Sequence, residues 1–131
     1  MANLNDSLND LMSLDGAMCA AVVDYNSGMM LASAGSGVDM ELAAAGNTEV
    51  VRAKMKTMKA LGLNENIDDI LITLGKQYHI IRPAAKLAGI FVYYVLDNKR
   101  ANLALARRKV SDVEGAMMGN TQAITWSLRL P

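Results

Sequence analysis

The chain is poor in the residues that staple, punctuate or catalyse. It holds one cysteine, one histidine, one tryptophan, one phenylalanine and two prolines in 131 residues. The single thiol, Cys19, cannot close an internal disulfide, and it sits in an apolar run where a small hydrophobic filler fits. His79 lies in a strand-like pattern with no cysteine or second histidine at ligand spacing, which argues against a metal centre. The longest apolar run, Leu87–Leu96, is far shorter than the roughly 20 residues that span a bilayer. The opening MANLNDSLND has no basic stretch ahead of an apolar one, so no secretory leader is expected and a cytoplasmic location is.

Basic residues are missing from a whole section of the chain. The first 51 residues carry seven acids and no Lys or Arg, while the other 80 carry all 13 bases and six acids. The formal net charge is +0, so the total hides a polarised distribution. Polarity of this kind favours association with a charged partner or with a second copy.

Recognisable catalytic arrangements are also missing. Gly35-Ser36-Gly37-Val38 lacks the Lys-Ser/Thr that follows a phosphate-binding glycine loop. The serines and Cys19 have no identifiable base beside them. Asp68 and Asp69 are adjacent in an extended segment and point to opposite faces, a poor acid/base pair. Asn64, Asn66 and Asp68 alternate as in a calcium loop, but Asp69 stands where that loop needs glycine and Gly75 where it needs glutamate. Arg107-Arg108-Lys109 has no interleaved aromatics, so a solvated helix face is expected there and not a nucleic-acid surface.

What remains is a well-patterned globular domain, with 52% of its residues hydrophobic. Asn3 can cap a first helix whose Leu4, Leu8, Leu11 and Met12 recur at helical spacing, with Gly16 ending it. Ala17–Val23 is apolar on both alternating faces and reads as a strand covered on two sides. Asp24-Tyr25-Asn26-Ser27-Gly28 supplies turn chemistry, and Met29–Ser33 returns as a second strand. This hairpin is expected to form the centre of the fold, with helices on both faces.

A long second helix is expected from about Met40 to Leu61, capped by Ser36 or Asp39 and stopped by Gly62. Its first half is nearly all small, and Gly46 costs about 1 kcal/mol relative to Ala inside a helix. That cost points to a close approach by another backbone. Its second half sets Val51, Met55 and Met58 beside a basic stripe of Arg52, Lys56 and Lys59. The apolar positions cover more arc than one sheet face needs, which predicts a helix that meets two surfaces.

Ile67–Leu74, Gln77–Arg82 and Gly89–Asp97 read as three further strands, the second closed by Pro83 and the last two joined by a turn over Lys86–Gly89. Asp97 or Asn98 is expected to cap a last helix in which Leu103, Ala106, Val110, Val113 and Met117 form the buried stripe. The order α-β-β-α-β-β-β-α predicts an α+β domain with a five-stranded antiparallel sheet and helices on both faces. Residues 119–131 follow this domain. Ile124, Trp126, Leu128 and Leu130 alternate there with polar residues, which predicts an extended segment docked on its own domain or on a neighbouring subunit.

Taken together, GAMCAAVVDYNSGMMLAS, the long second helix, ILIT followed by YHIIRP, and VLDNKRANLALARRKV resemble the Roadblock family, the dynein light chains of that type and their bacterial relatives. The resemblance covers about residues 4 to 118, and residues 119–131 lie beyond the family's usual end. It implies a Roadblock/profilin-like sandwich without enzymatic activity, and no cofactor or metal is expected. It further implies a homodimer built through the second helix and the third strand, with bacterial members acting on small Ras-like GTPases. On this chain that dimer surface corresponds to Gly46, Val50, Met55, Met58, Ile70 and Ile72. The stripe of Arg52, Lys56 and Lys59 is the expected GTPase-binding surface. A small-molecule-sensing domain of profilin-like or PAS-like architecture is the alternative, because such sheets also hold ligands in pockets.

Overall fold

The computed structural model describes residues 3–85 and 89–118. Helix α1 (Leu4–Met12) starts where the Asn3 side-chain oxygen accepts from the Asp6 amide at 2.8 Å. Strands β1 (Ala17–Asp24) and β2 (Met29–Gly35) follow, joined by a turn that Asp24 organises. One of its carboxylate oxygens accepts from the Asn26 amide and the other from the Ser27 hydroxyl, both at 2.9 Å. Gly28 closes the turn at φ +78, a backbone region that side chains disfavour.

Helix α2 (Met40–Ala60) is capped by Asp39, which accepts from the Leu42 amide. It ends in a Schellman turn, with the Gly62 amide donating to Lys59 and the Leu63 amide to Met58. Strands β3 (Ile70–Thr73), β4 (Gln77–Pro83) and β5 (Ile90–Asp97) and helix α3 (Leu103–Met118) complete the described chain. No described helix is long and apolar enough to cross a membrane.

The sheet is antiparallel throughout, in the order β2-β1-β5-β4-β3. The expected class and element order are therefore those observed. Helices α1 and α3 cover one face, over a core that includes Leu8, Leu11, Ile80, Val92, Leu96 and Val110. Helix α2 covers the other over Cys19, Ala21, Val51, Phe91 and Tyr93. The Tyr94 hydroxyl donates to the Leu11 carbonyl and ties the sheet to the end of α1.

Four local expectations are corrected. The hairpin is not central: β5 holds the middle of the sheet and β2 lies at an edge. β3 begins at Ile70 and not at Ile67, because its lead-in bonds to side chains instead of a neighbouring strand. The Asp68 carbonyl accepts from Arg82 at 3.1 Å, and the Asp69 carboxylate takes both arms of Arg107 at 2.9 Å. At its other end β3 stops at Thr73, where the Leu74 amide already turns to the Gln77 carbonyl. Asn102 caps α3 by accepting from the Leu105 amide, since Asp97 is used in the preceding turn and Asn98 holds the Leu74 and Gly75 carbonyls. The extended segment expected in 119–131 and most of the Lys86–Gly89 turn lie outside the described residues.

Candidate interaction surface

Helix α2 packs over β1 and β2 and leaves the β4–β3 half of the same sheet face less covered. That half presents Ile70 and Ile72 from the edge strand, with His79 opposite Ile72 on β4. All three are partly exposed, whereas Ile81 and Tyr93 beside them are buried. An apolar strip therefore runs from the flank of α2 to the sheet edge at β3.

The six residues expected at a self-association surface divide into two groups. Gly46 and Val50 are exposed on one flank of α2, Val50 at 39% of its full exposure. Asn47, beside them on the helix, stands near enough to the Tyr93 hydroxyl to favour its ionised form, so this flank overlooks the open strip. A side chain added at Gly46 would meet nothing of the described chain within 4 Å. The close backbone approach expected there is made by no other described element. Met55, Ile70 and Ile72 lean against the core beneath α2, and Met58 is partly buried on the same helix.

Arg52, Lys56 and Lys59 are exposed, on the side of α2 away from Val50 by helical spacing. Arg52 and Lys56 rim a shallow groove with Glu49, Ala53 and Met55. None of the three makes an ion pair among the described residues. The basic surface and the Gly46–Val50 flank are thus separate faces of one helix.

Sequence reasoning missed the polar chain set within the apolar strip. The Tyr93 hydroxyl lies 2.9 Å from His79 Nδ1, and His79 Nε2 lies 2.8 Å from the Gln77 side-chain oxygen. Gln77 can only accept through that oxygen, so Nε2 carries the hydrogen and Nδ1 accepts from Tyr93. Burial pushes the His79 imidazolium down from its ordinary range, favouring this neutral ring. Burial likewise raises the Tyr93 hydroxyl, partly offset by Asn47. The pair His79–Tyr93 is a cross-strand diagonal, visible only once the β4–β5 register is known.

The other chemical candidates are accounted for structurally. Cys19 is fully buried in β1, and that burial pushes its thiol up, the reverse of an activated nucleophile. Asp69 is engaged by Arg107, and Asp68 is exposed with its carbonyl held by Arg82. No cluster among the described residues could hold a metal ion.

A five-stranded antiparallel sheet with one helix on one face and two on the other, connected in this order, is the fold of the Roadblock/LC7 domain. One solved structure with this fold is a Roadblock/LC7 domain from Streptomyces avermitilis, at TM-score 0.79 and 10% identity over 92% of this chain and 99% of that one. Myxococcus xanthus MglB aligns at TM-score 0.78 and 19% identity over 99% of this chain and 97% of its own. The gliding protein MglB of Thermus thermophilus aligns at TM-score 0.65 and 15% identity over 88% of this chain and 95% of its own. No protein-family model and no curated protein sequence matches the chain. The likeness is one of fold, carried by architecture at identities where few side chains coincide.

Proposed function

We propose that this chain is a cytoplasmic, homodimeric interaction module that binds and regulates a small Ras-like GTPase and performs no catalysis of its own. The observation that carries the reading is the open apolar strip of Ile70 and Ile72 beside the Gly46–Val50 flank of α2, whose one charge is Lys54. A second copy placed there would extend the sheet across its β3 edge and give Gly46 the close neighbour that it lacks among the described residues. Among the similar folds is an MglB described as having a tetrameric arrangement, which supports self-association as a property of this architecture. The GTPase assignment draws on the resemblance to bacterial Roadblock proteins. Arg52, Lys56 and Lys59 remain accessible on the far side of α2 in such a dimer and provide the partner surface.

Sedimentation equilibrium at micromolar concentration tests the dimer, and a monomer throughout would refute it. GTP turnover, measured with and without this protein on a small Ras-like GTPase of the same organism, tests regulation. The expected result is a changed rate for the GTPase and none for the isolated protein. Robust hydrolysis by the isolated protein would overturn the regulator reading.

A further inference from the structure

We propose that His79 makes self-association through the α2–β3 strip pH-dependent, with the neutral ring required for the closed dimer. This rests on the dimer reading above and adds a regulation of that same face. His79 stands between the two parts of the surface, beside Ile72 on one side and on the other bonded to Tyr93, which lies under α2 near Asn47. Both ring nitrogens are already committed in the neutral form, one accepting from Tyr93 at 2.9 Å and one donating to Gln77 at 2.8 Å. A protonated ring carries two donors and no acceptor. It would force the Tyr93 hydroxyl to turn its hydrogen elsewhere and leave a cation among Ile70, Ile72 and Ile81.

Among the described residues, no negative charge faces the ring to offset that cation; only the neutral oxygens of Gln77 and Tyr93 could accept from it. β5 supplies the neutral Tyr93, β4 supplies Gln77, and β3 supplies only Ile70 and Ile72. β1 places the neutral, buried Cys19 behind Tyr93. α2 supplies Asn47 and, four residues beyond Val50 on the same flank, the exposed cation Lys54, which opposes a second positive charge. A symmetric second copy would bring another Lys54 and another His79, and remove the water that now solvates the ring. Covering the strip therefore costs more for the protonated protein than for the neutral one.

The sign follows from linkage. The closed face disfavours the proton, so protonated His79 favours the separated protomers and dimerisation weakens as pH falls. Each histidine that must shed a proton contributes about tenfold per pH unit below its value in the free protomer, so two contribute up to about a hundredfold in the dissociation constant. Because burial already lowers His79 in the free protomer, the weakening begins below the ordinary histidine value of about 6.5, and above that value the constant is flat.

The experiment measures the dissociation constant of the full chain by sedimentation from about pH 8 to about pH 5, with circular dichroism confirming the fold at each point. The His79→Gln variant keeps a neutral hydrogen-bonding side chain and is measured alongside. The expected result is a steep acid weakening in the natural protein and a flat profile in the variant. A natural protein that dimerises equally at both ends of the range overturns the proposal, as does a variant that keeps the slope. A protein monomeric at every pH overturns the dimer itself, which distinguishes the two failures.

Discussion

Removing Arg82 would strand a buried carboxylate. Glu114 of α3 is 6% exposed at its side chain, Arg82 of β4 is 19% exposed, and the two meet at 3.2 Å. Breaking one partner of a buried pair costs about 3–5 kcal/mol, because the other charge stays desolvated. The contact is single and not two-pronged, and Arg82 retains some water, so Arg82→Met is placed near the low end, at about 3 kcal/mol. Glu114→Leu leaves a guanidinium that still holds the Asp68 carbonyl, and is expected to cost only about 1–2 kcal/mol. The double variant has no orphan charge and two apolar side chains in their place, and is expected within about 1 kcal/mol of the natural protein. Urea unfolding at one fixed protein concentration reads all four stabilities, with concentration held constant because association would shift the midpoint. Single effects that add to the double effect within about 0.5 kcal/mol would refute the coupling and the account of Glu114 as a charge held by one partner. A second readout separates the partners: only variants lacking Arg82 release the Asp68 carbonyl that sets the entry to β3. Dimerisation through that edge should therefore weaken in both Arg82 variants and not in Glu114→Leu.

Four further substitutions test the fold itself, the last as a control. Gly16→Ala places a methyl group 2.7 Å from the Ala101 backbone nitrogen at a residue with φ +85, so a loss of at least about 1–2 kcal/mol in urea unfolding is expected. Tyr94→Phe removes a buried donor and leaves the Leu11 carbonyl without it at the end of α1, for an expected cost of about 1–3 kcal/mol and faster amide exchange in α1. Asn102→Ala removes the cap of α3 and should lower stability by about 1 kcal/mol, while Asn98→Ala should leave the α3 amides unchanged because Asn98 serves the β3–β4 turn.

Elements whose pattern is local are legible in the sequence. The α1 stripe, the Asp24–Gly28 turn, the Schellman end of α2 at Gly62 and the doubly covered runs of β1 and β5 depend on residues a few positions apart. Features that depend on distant partners are not. The length of β3 is decided by Arg82 and Arg107, which claim the backbone of Asp68 and the carboxylate of Asp69 from other elements. The place of the hairpin is decided by β5 inserting next to β1, and no local signal distinguishes an inner strand from a partly covered edge when both are apolar and uncharged. His79 looks unremarkable in the sequence because its significance lies in a diagonal neighbour 14 residues away.

The separation of the two flanks of α2 leads to a last prediction. Gly46 and Val50 recur at a spacing of four on the side of Asn47, while Arg52, Lys56 and Lys59 lie across the helix beyond the buried Val51. A helix of a simple monomer would carry charge on both flanks, since each would face water. Here the Gly46–Val50 flank carries a single charge, Lys54, among glycine, valine and alanine next to an apolar strip, and the other cations gather on the opposite flank. If the first flank meets a second copy and the other meets the GTPase, the two activities are separable by substitution. Val50→Arg should disrupt the dimer, because it buries an unpaired charge at the centre of the contact, at a cost of several kcal/mol. Monomer folding should hardly change, because Val50 is already 39% exposed. Reversing Arg52, Lys56 and Lys59 together should leave sedimentation unchanged and weaken GTPase binding, with an effect that shrinks as salt rises. The converse pattern, in which charge reversal splits the dimer and Val50→Arg leaves it intact, would mean that the cationic flank is the self-association surface.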